Sequence, residues 1–213
     1  MTPSADLTTL TGDETLELPE FDVPPADPLA LAAAWFAAAV ATGVREPGAV
    51  ALATASADGI PSSRTVSLKQ ITAGGAIFST SDASRKASEL RANPHASLTL
   101  YWRETLQQLT LRGTVEVLPD EASDALFADR PRGAQVASIV STPGAALADE
   151  AALAAHAAEV AAHPGALARP ETWRGYLLVP TAIEFWHGRS DRLHRRLSYE
   201  RVDGAWVARR VQP

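Results

Sequence analysis

Ala49-Val-Ala-Leu-Ala-Thr-Ala55, then Asp58-Gly59, then Ser62-Ser-Arg-Thr-Val-Ser-Leu-Lys69 is the stretch on which the fold turns. A short apolar run, a turn dipeptide and an alternating run make a β-hairpin, because Asp-Gly tolerates the positive φ that tight hairpin turns demand. The pattern continues outward. Gly74-Gly75 turns the chain into Ala76-Ile-Phe-Ser-Thr80, and residues 95–102 and 106–117 read as two further strands. One brief helix is expected among them, with Ser84 as its cap and Leu90 on its buried face. It stops at Asn93-Pro94, since a residue before proline is pushed out of the helical region. So many short strands with one short helix point to an antiparallel barrel or sandwich rather than a parallel βαβ sheet.

The flanks add helices and then strands again. Asp27-Pro28 opens a helix, Asp as cap and Pro at the first helical position, running through Leu29, Leu31, Trp35, Phe36 and Val40 to near Gly43. Downstream, helices are expected over residues 120–129, 133–140 and 148–162, the last so rich in alanine that it has helix propensity but little to bury. Strands return at 176–179, 183–187, 197–201 and 205–211, with Asp203-Gly204 as the final hairpin turn. Residues 1–26 mix Thr, Pro, Asp and Glu without periodicity and read as a flexible N-terminal arm, leaving 27–213 as one domain.

Bulk properties narrow the function. The 213 residues suffice for one domain with a sizeable core. A net charge of −6 argues against a general nucleic-acid or membrane-surface binder, so basic clusters here are local and ligand-directed. The absence of cysteine excludes disulfides, thiolate metal sites and cysteine nucleophiles. No leader pattern is visible, and the most apolar run, 29–44, falls short of the roughly 20 apolar residues a bilayer span needs. A soluble, cytoplasmic protein is expected. Histidines 95, 156, 163, 187 and 194 lack metal-ligand spacing, so no metal site is expected, and no phosphate-binding P-loop, GxGxxG or GxSxG is present.

Four constellations remain. Glu184-Phe-Trp-His-Gly-Arg-Ser-Asp-Arg192-Leu-His194-Arg-Arg196 sets two aromatics, two histidines and four arginines inside thirteen residues, which suits a cationic wall for a flat or anionic ligand. Ser79-Thr80-Ser81-Asp82-Ala83-Ser84-Arg85-Lys86 joins a hydroxyl-rich loop to a helix start carrying two cations. Free N–H groups, hydroxyls and a guanidinium together make a phosphate site. On Arg64-Thr65-Val66-Ser67-Leu68-Lys69, strand alternation sends Arg64 and Lys69 to opposite faces unless a bulge intervenes; solvated charges on an edge strand are the plainer reading. In Tyr101-Trp-Arg-Glu-Thr-Leu-Gln107-Gln108 the paired amides could read the edge of a heterocycle or fill space between strands.

In combination and order, Arg64-x-Val-x-Leu-Lys69, Ser84-Arg-Lys86-x-x-Glu-Leu90 with Asn93-Pro94, Gln108, Arg130-Pro131, Glu184-Phe-Trp186 and Arg192-Leu-His194-x-Arg196 resemble the pyridoxamine 5′-phosphate oxidase family of FMN-dependent oxidases. The resemblance implies a mainly β fold with helices (α+β), a six-stranded antiparallel split barrel, working as a homodimer with FMN at its interface. It assigns FMN to Arg64, Thr65, Val66, Ser67, Leu68, Lys69, Ser79, Thr80, Arg85, Lys86 and Gln108, with Trp186 and Arg196 completing the site from the partner subunit. It assigns substrate to Lys69, Arg130, Arg192 and His194; Arg192 and His194 are the catalytic pair, with His194 assisting proton loss. The members acting on vitamin B6 phosphates hold the substrate phosphate with a Tyr and a Ser near the Arg-Pro motif. Here those places fall to Leu126 and Ala134, and the usual Gln-Ser pair after the middle helices to Pro143-Gly144.

Leu10-Thr-Gly12, Pro25-Ala-Asp-Pro28, Arg45-Glu-Pro47 and Tyr101-Trp-Arg-Glu-Thr105 are more similar to the phenazine-biosynthesis branch, whose substrates carry carboxylates and no phosphate. Lys69 and Arg85 lean toward the vitamin B6 branch. The expected function is therefore oxidation of a reduced phenazine carboxylate by FMN and dioxygen. The alternatives are pyridoxine/pyridoxamine 5′-phosphate oxidation and a non-catalytic flavin- or haem-binding split barrel.

Overall fold

A computed structural model, describing residues 10–213, closes six of its eight strands into an antiparallel barrel. The elements run α1 (Pro28–Ala41), β1 (Ala49–Ala55), β2 (Pro61–Thr72), β3 (Gly75–Ser81), α2 (Arg85–Ala92), β4 (His95–Trp102), β5 (Gln107–Val117), α3 (Asp120–Ala128), α4 (Arg132–Val140), α5 (Glu150–Ala162), β6 (Trp173–His187), β7 (Arg195–Val202) and β8 (Ala205–Arg210). Around the barrel the order is β1-β2-β3-β6-β5-β4 and back to β1, with β7 and β8 continuing the sheet beyond β6. This is the six-stranded barrel with flanking helices that the sequence implied.

Alternation places the core. Leu52, Phe78, Leu98, Leu100, Leu109, Leu111, Leu178 and Phe185 point inward and are fully buried. The helix α1 begins where Asp27 accepts N–H bonds from Leu29 (2.9 Å) and Ala30 (3.1 Å). It lays Trp35 edge-on against Phe185, ring centroids 5.0 Å apart. At the far side α5 buries none of its residues, as its alanine content led one to expect. It is tied down at its end by Arg132 of α4, whose guanidinium donates to the carbonyls of Ala161, His163 and Gly165. No helix among the described residues is long and apolar enough to cross a membrane.

Two expectations are corrected. The strands expected at 176–179 and 183–187 are one bent strand of 15 residues, β6. Pro180, which has no N–H to donate, is accommodated because the β5 register shifts between Arg112 and Gly113, so that Gly113 faces Pro180. Any Cβ on Gly113 would lie 2.0 Å from the Val179 carbonyl oxygen; only glycine permits this approach. The bend lets the first half of β6 pair with β3 and the second half with β7.

The expected arm is the other correction. Residues 1–9 lie outside the described residues, but the rest of the segment, though much of it is exposed, is anchored to the barrel at several points. Phe21 is buried under Trp35, with the Arg195 guanidinium 4.7 Å from its ring, which stabilises the docked segment by about 2 kcal/mol. Glu20 accepts the Trp35 indole N–H, and the Tyr199 hydroxyl donates to the Pro25 carbonyl at 2.9 Å. These contacts join residues far apart in sequence, which is why local composition did not signal them.

Candidate active site

Arg64, Arg85 and Lys86 come together where the beginning of β2 meets α2. Arg64 donates to Thr54 Oγ1 (2.6 Å) and Ser62 Oγ (2.5 Å) and pairs with Glu89 at 3.2 Å. Glu89 also accepts from Thr54 (2.5 Å) and Ser62 (2.6 Å), and Arg85 lies 3.4 Å from its other oxygen. The hydroxyls of Ser62 and Thr54, with Arg64 beside them, hold the Glu89 carboxyl at a pKa of about 2. Lys86 donates to Thr80 Oγ1 at 3.1 Å, and Ser84 caps α2. Burial, and then the neighbouring Arg64 charge, push the Lys86 pKa down. Three cations face a single carboxylate at a helix N-terminus. That surplus charge, with the Thr80 and Ser84 hydroxyls, gives a donor set able to hold a phosphate.

The outer face of the sheet presents a second group. Tyr101 is opposite Gln108, Gln108 opposite Trp186, and Trp186 opposite Arg196, so four adjacent strands put these side chains in one row on one face. Arg196 is held by a two-pronged bond to Glu184, at 3.2 and 2.7 Å. The neighbouring row carries Thr65, Ala51, Thr99, Thr110, Glu184 and Ser198. Small side chains therefore leave a flat floor running from Thr65 to the Trp186 indole. A cavity of about 420 Å³ lies over Thr65 and Ser67. A second, of about 460 Å³, lies on the other side of Glu46, with Tyr101 and Arg103 in its wall. A β-bulge at Lys69 ends the alternation: Arg64, Val66 and Leu68 share the inner face, and Ile71 takes it after the bulge.

Arg130 occupies a third place, a cavity of about 230 Å³ with Ser79, Thr80, Ser138, Ser141 and Pro143 around it. Its guanidinium stands 4.9 Å from the Trp173 ring and donates to Ser138 Oγ at 2.7 Å. No carboxylate pairs with it among the described residues, and burial lowers its pKa. Leu126 points away from this cavity, packing beneath Gly175 of β6.

Between β6 and β7 the chain makes a tight turn bearing Arg192 and His194. Arg189 pairs with Asp191 at 2.7 Å, Asp191 also accepts the Leu193 N–H, and Arg192 takes a left-handed φ of 65°. The His194 ring lies 4.8 Å from Trp186, and its Nδ1 accepts the Arg189 backbone N–H at 3.1 Å. A neutral His194 therefore carries its proton on Nε2.

The structure thus assembles Arg64, Thr80, Arg85 and Lys86 in one place, Gln108, Trp186 and Arg196 in a second, and Arg130 with Ser79 in a third. No hydrogen bond or ring contact joins the first two sets among the described residues. Sequence reasoning gave Glu89 no role beyond its place in the Ser84–Leu90 motif, and missed Thr54 and Ser62. Glu89 had a readable signal in its i,i+4 spacing from Arg85, while Thr54 and Ser62 become partners only across the β1–β2 hairpin. It also missed Ser138, one helical turn beyond Ala134.

Residues 36–164 match the family model described as pyridoxamine 5′-phosphate oxidase, and residues 173–213 match that of the pyridoxine 5′-phosphate oxidase C-terminal dimerisation region. The dihydrophenazinedicarboxylate synthase of Burkholderia lata is 44% identical over 204 residues, 96% of either chain. A pyridoxine/pyridoxamine 5′-phosphate oxidase of Caulobacter vibrioides is 40% identical over 189 residues, 88% of this chain and 85% of that one. The crystal structure of PhzG from Burkholderia lata in complex with tetrahydrophenazine-1-carboxylic acid superposes with a TM-score of 0.91 at 44% identity, covering 95% of this chain and 100% of that one.

Proposed function

This chain belongs to the pyridoxamine 5′-phosphate oxidase family, and on that premise we propose that it is an FMN-dependent oxidase of a reduced tricyclic phenazine carboxylate. The observation that carries the choice of substrate is the Arg130 cavity. It offers the Arg130 guanidinium, bonded to the Ser138 hydroxyl and facing no carboxylate among the described residues, while Leu126 packs beneath Gly175 and Ala134 has no hydroxyl. One guanidinium with a hydroxyl matches a carboxylate better than a phosphate dianion.

Arg64, Arg85, Lys86 and Thr80 hold the FMN phosphate. Thr65 to Lys69, with Ser79, run along the ribityl chain and ring, and Gln108 reads the ring edge. Trp186 and Arg196 complete the site of the partner subunit in a homodimer, in keeping with the match of this region to a dimerisation family. The bound flavin supplies the two-electron acceptor for hydride from a ring carbon and delivers those electrons to dioxygen, giving hydrogen peroxide.

Arg192 orients the substrate carboxylate. The role foreseen for His194 changes: its Nδ1 is engaged by the Arg189 N–H, so Nε2–H donates to the substrate instead of accepting a proton. Lys69 and Arg130 line the substrate side, and residues 27–213 form the oxidase domain.

Anaerobic mixing of the flavin-loaded protein with a reduced phenazine carboxylate tests this reading. Bleaching of the flavin absorption at about 1 s⁻¹ or faster supports it. Bleaching by pyridoxine 5′-phosphate at such a rate, without bleaching by the phenazine, replaces it with the vitamin B6 reading, which Lys69 and Arg85 favour.

A further inference from the structure

We propose that Glu14, in the N-terminal segment, is a positioning residue that braces the Arg192–His194 turn from outside. The Glu14 carboxylate accepts the Ser190 backbone N–H at 2.7 Å and the Ser190 hydroxyl at 3.0 Å, one bond to each oxygen. Ser190 lies inside the turn, flanked by the two members of the Arg189–Asp191 ion pair and two residues before Arg192.

The segment that carries Glu14 is itself fixed. Gly12 passes so close to the β4–β5 turn that a Cβ on it would lie 2.1 Å from the Arg103 carbonyl oxygen, and the Asp13 N–H donates to the Glu104 carbonyl at 2.8 Å. Asp13 also accepts the Thr15 N–H and hydroxyl, at 2.8 and 2.6 Å, which curls the backbone and presents Glu14 to Ser190. Opposite, the Gly188 N–H donates to the Leu106 carbonyl at 2.8 Å. The segment therefore runs from the β4–β5 turn to the β6–β7 turn and ties both in place. The two turns are far apart in sequence and carry the Tyr101–Arg103 wall and the Arg192–His194 pair respectively.

The role follows from this geometry. Residues 189–193 are exposed; Arg189, Asp191 and His194 bond one another, and the Gly188 N–H holds only the base of the turn, so the place of its tip depends on ties such as that from Glu14. Capture of the substrate carboxylate by Arg192 depends on where the turn holds that side chain, and a carboxylate with two bonds to one residue limits the movement of the turn. The role toward substrate rests on the reading given under Proposed function; the brace itself does not.

The test uses the full-length flavin-loaded protein with Glu14→Ala, Glu14→Gln and Ser190→Ala. Amide hydrogen exchange across residues 189–193 should accelerate about tenfold in Glu14→Ala and less in Glu14→Gln, which keeps an oxygen acceptor for the Ser190 N–H. Ser190→Ala should fall between wild type and Glu14→Ala, because the backbone bond survives. For the reduced phenazine carboxylate, Glu14→Ala should raise KM about tenfold with kcat nearly unchanged and flavin content intact, and Glu14→Gln should recover part of the loss. Unchanged exchange in Glu14→Ala overturns the brace. Faster exchange with unchanged KM overturns the positioning role. A general loss of protection and bound flavin together would make Glu14 a plain folding contact and also overturns it. If wild type turns over no reduced phenazine carboxylate, the substrate reading has failed, and the brace stands or falls on the exchange data.

Discussion

The phosphate cradle and the β6–β7 turn are both rich in cations, yet they are held in opposite ways. In the cradle Arg64 is bonded by Thr54, Ser62 and the Leu52 carbonyl besides Glu89, and each of those groups sits on a strand or helix of the barrel. In the turn, Arg189 and Asp191 are two residues apart and bond mainly each other, and both are exposed. A cradle fixed before ligand arrives loses little entropy on binding, whereas an exposed turn can adapt and must be steadied from outside. The difference suits a cofactor that stays and a substrate that comes and goes.

That contrast can be broken at several points. The largest effect is expected from Arg64→Ala, which removes a charged donor from the cradle. The dissociation constant for FMN, read by quenching of flavin fluorescence, should rise about a hundredfold. If it rises by less than a factor of three, the cradle is not where the phosphate sits. Next comes Glu89→Gln, which leaves three cations without their shared carboxylate. It should cost about 2 kcal/mol in urea unfolding at neutral pH. Because the folded-state pKa of Glu89 is about 2, below the ordinary 4.5, this contribution is complete above pH 4.5 and disappears as pH falls towards 2. The gap between wild type and variant should therefore close over that window.

A smaller effect belongs to the turn. His194→Asn should lower kcat/KM for the reduced phenazine carboxylate about tenfold while leaving the unfolding midpoint and FMN affinity alone. A drop in stability of the same size as Glu89→Gln would erase the distinction between the two regions. Least of all is expected from His156→Ala on α5, whose ring is exposed and 3.7 Å from Glu159. Its effect on stability should stay within about 0.5 kcal/mol.

Much of this was legible in the sequence where the signal was local. Residues 49–55, a short apolar run, and 95–102, where Leu98, Leu100 and Trp102 alternate with other residues, stood out as strands because turn residues or proline bound them closely, and both were recovered to the residue. The cap at Ser84 and the stop at Asn93-Pro94 likewise announced α2. What was hidden depends on distant pieces. The continuity of β6 through Pro180 requires Gly113, some 70 positions upstream, to yield space. The packing of Phe21 needs Arg195, and the tie from Glu14 needs Ser190, contacts that leave no periodic trace. In the site, Arg64, Arg85 and Lys86 could be picked out by type and order. The spacing of Glu89 from Arg85 was legible too, but its bond to Arg64 and to the Thr54 and Ser62 hydroxyls came into view only once β1, β2 and α2 were set side by side.

The pairing of β3 with β6 has a consequence for how the chain is made. Ala76 meets Leu178 and Ser81 meets Trp173, partners roughly a hundred positions apart. At ordinary rates of translation β3 waits roughly 5 to 20 seconds for its neighbour to be synthesised. Over that interval the ribosome displays a half-built sheet whose borders are unpaired, β3 at one side and β5 at the other once it is made. Such borders are the kind of surface on which nascent chains adhere to one another, and the β3 border waits longest. Ser79, Thr80 and Ser81 stand on that border, so the hydroxyls later turned toward ligand also make it less adhesive during the wait.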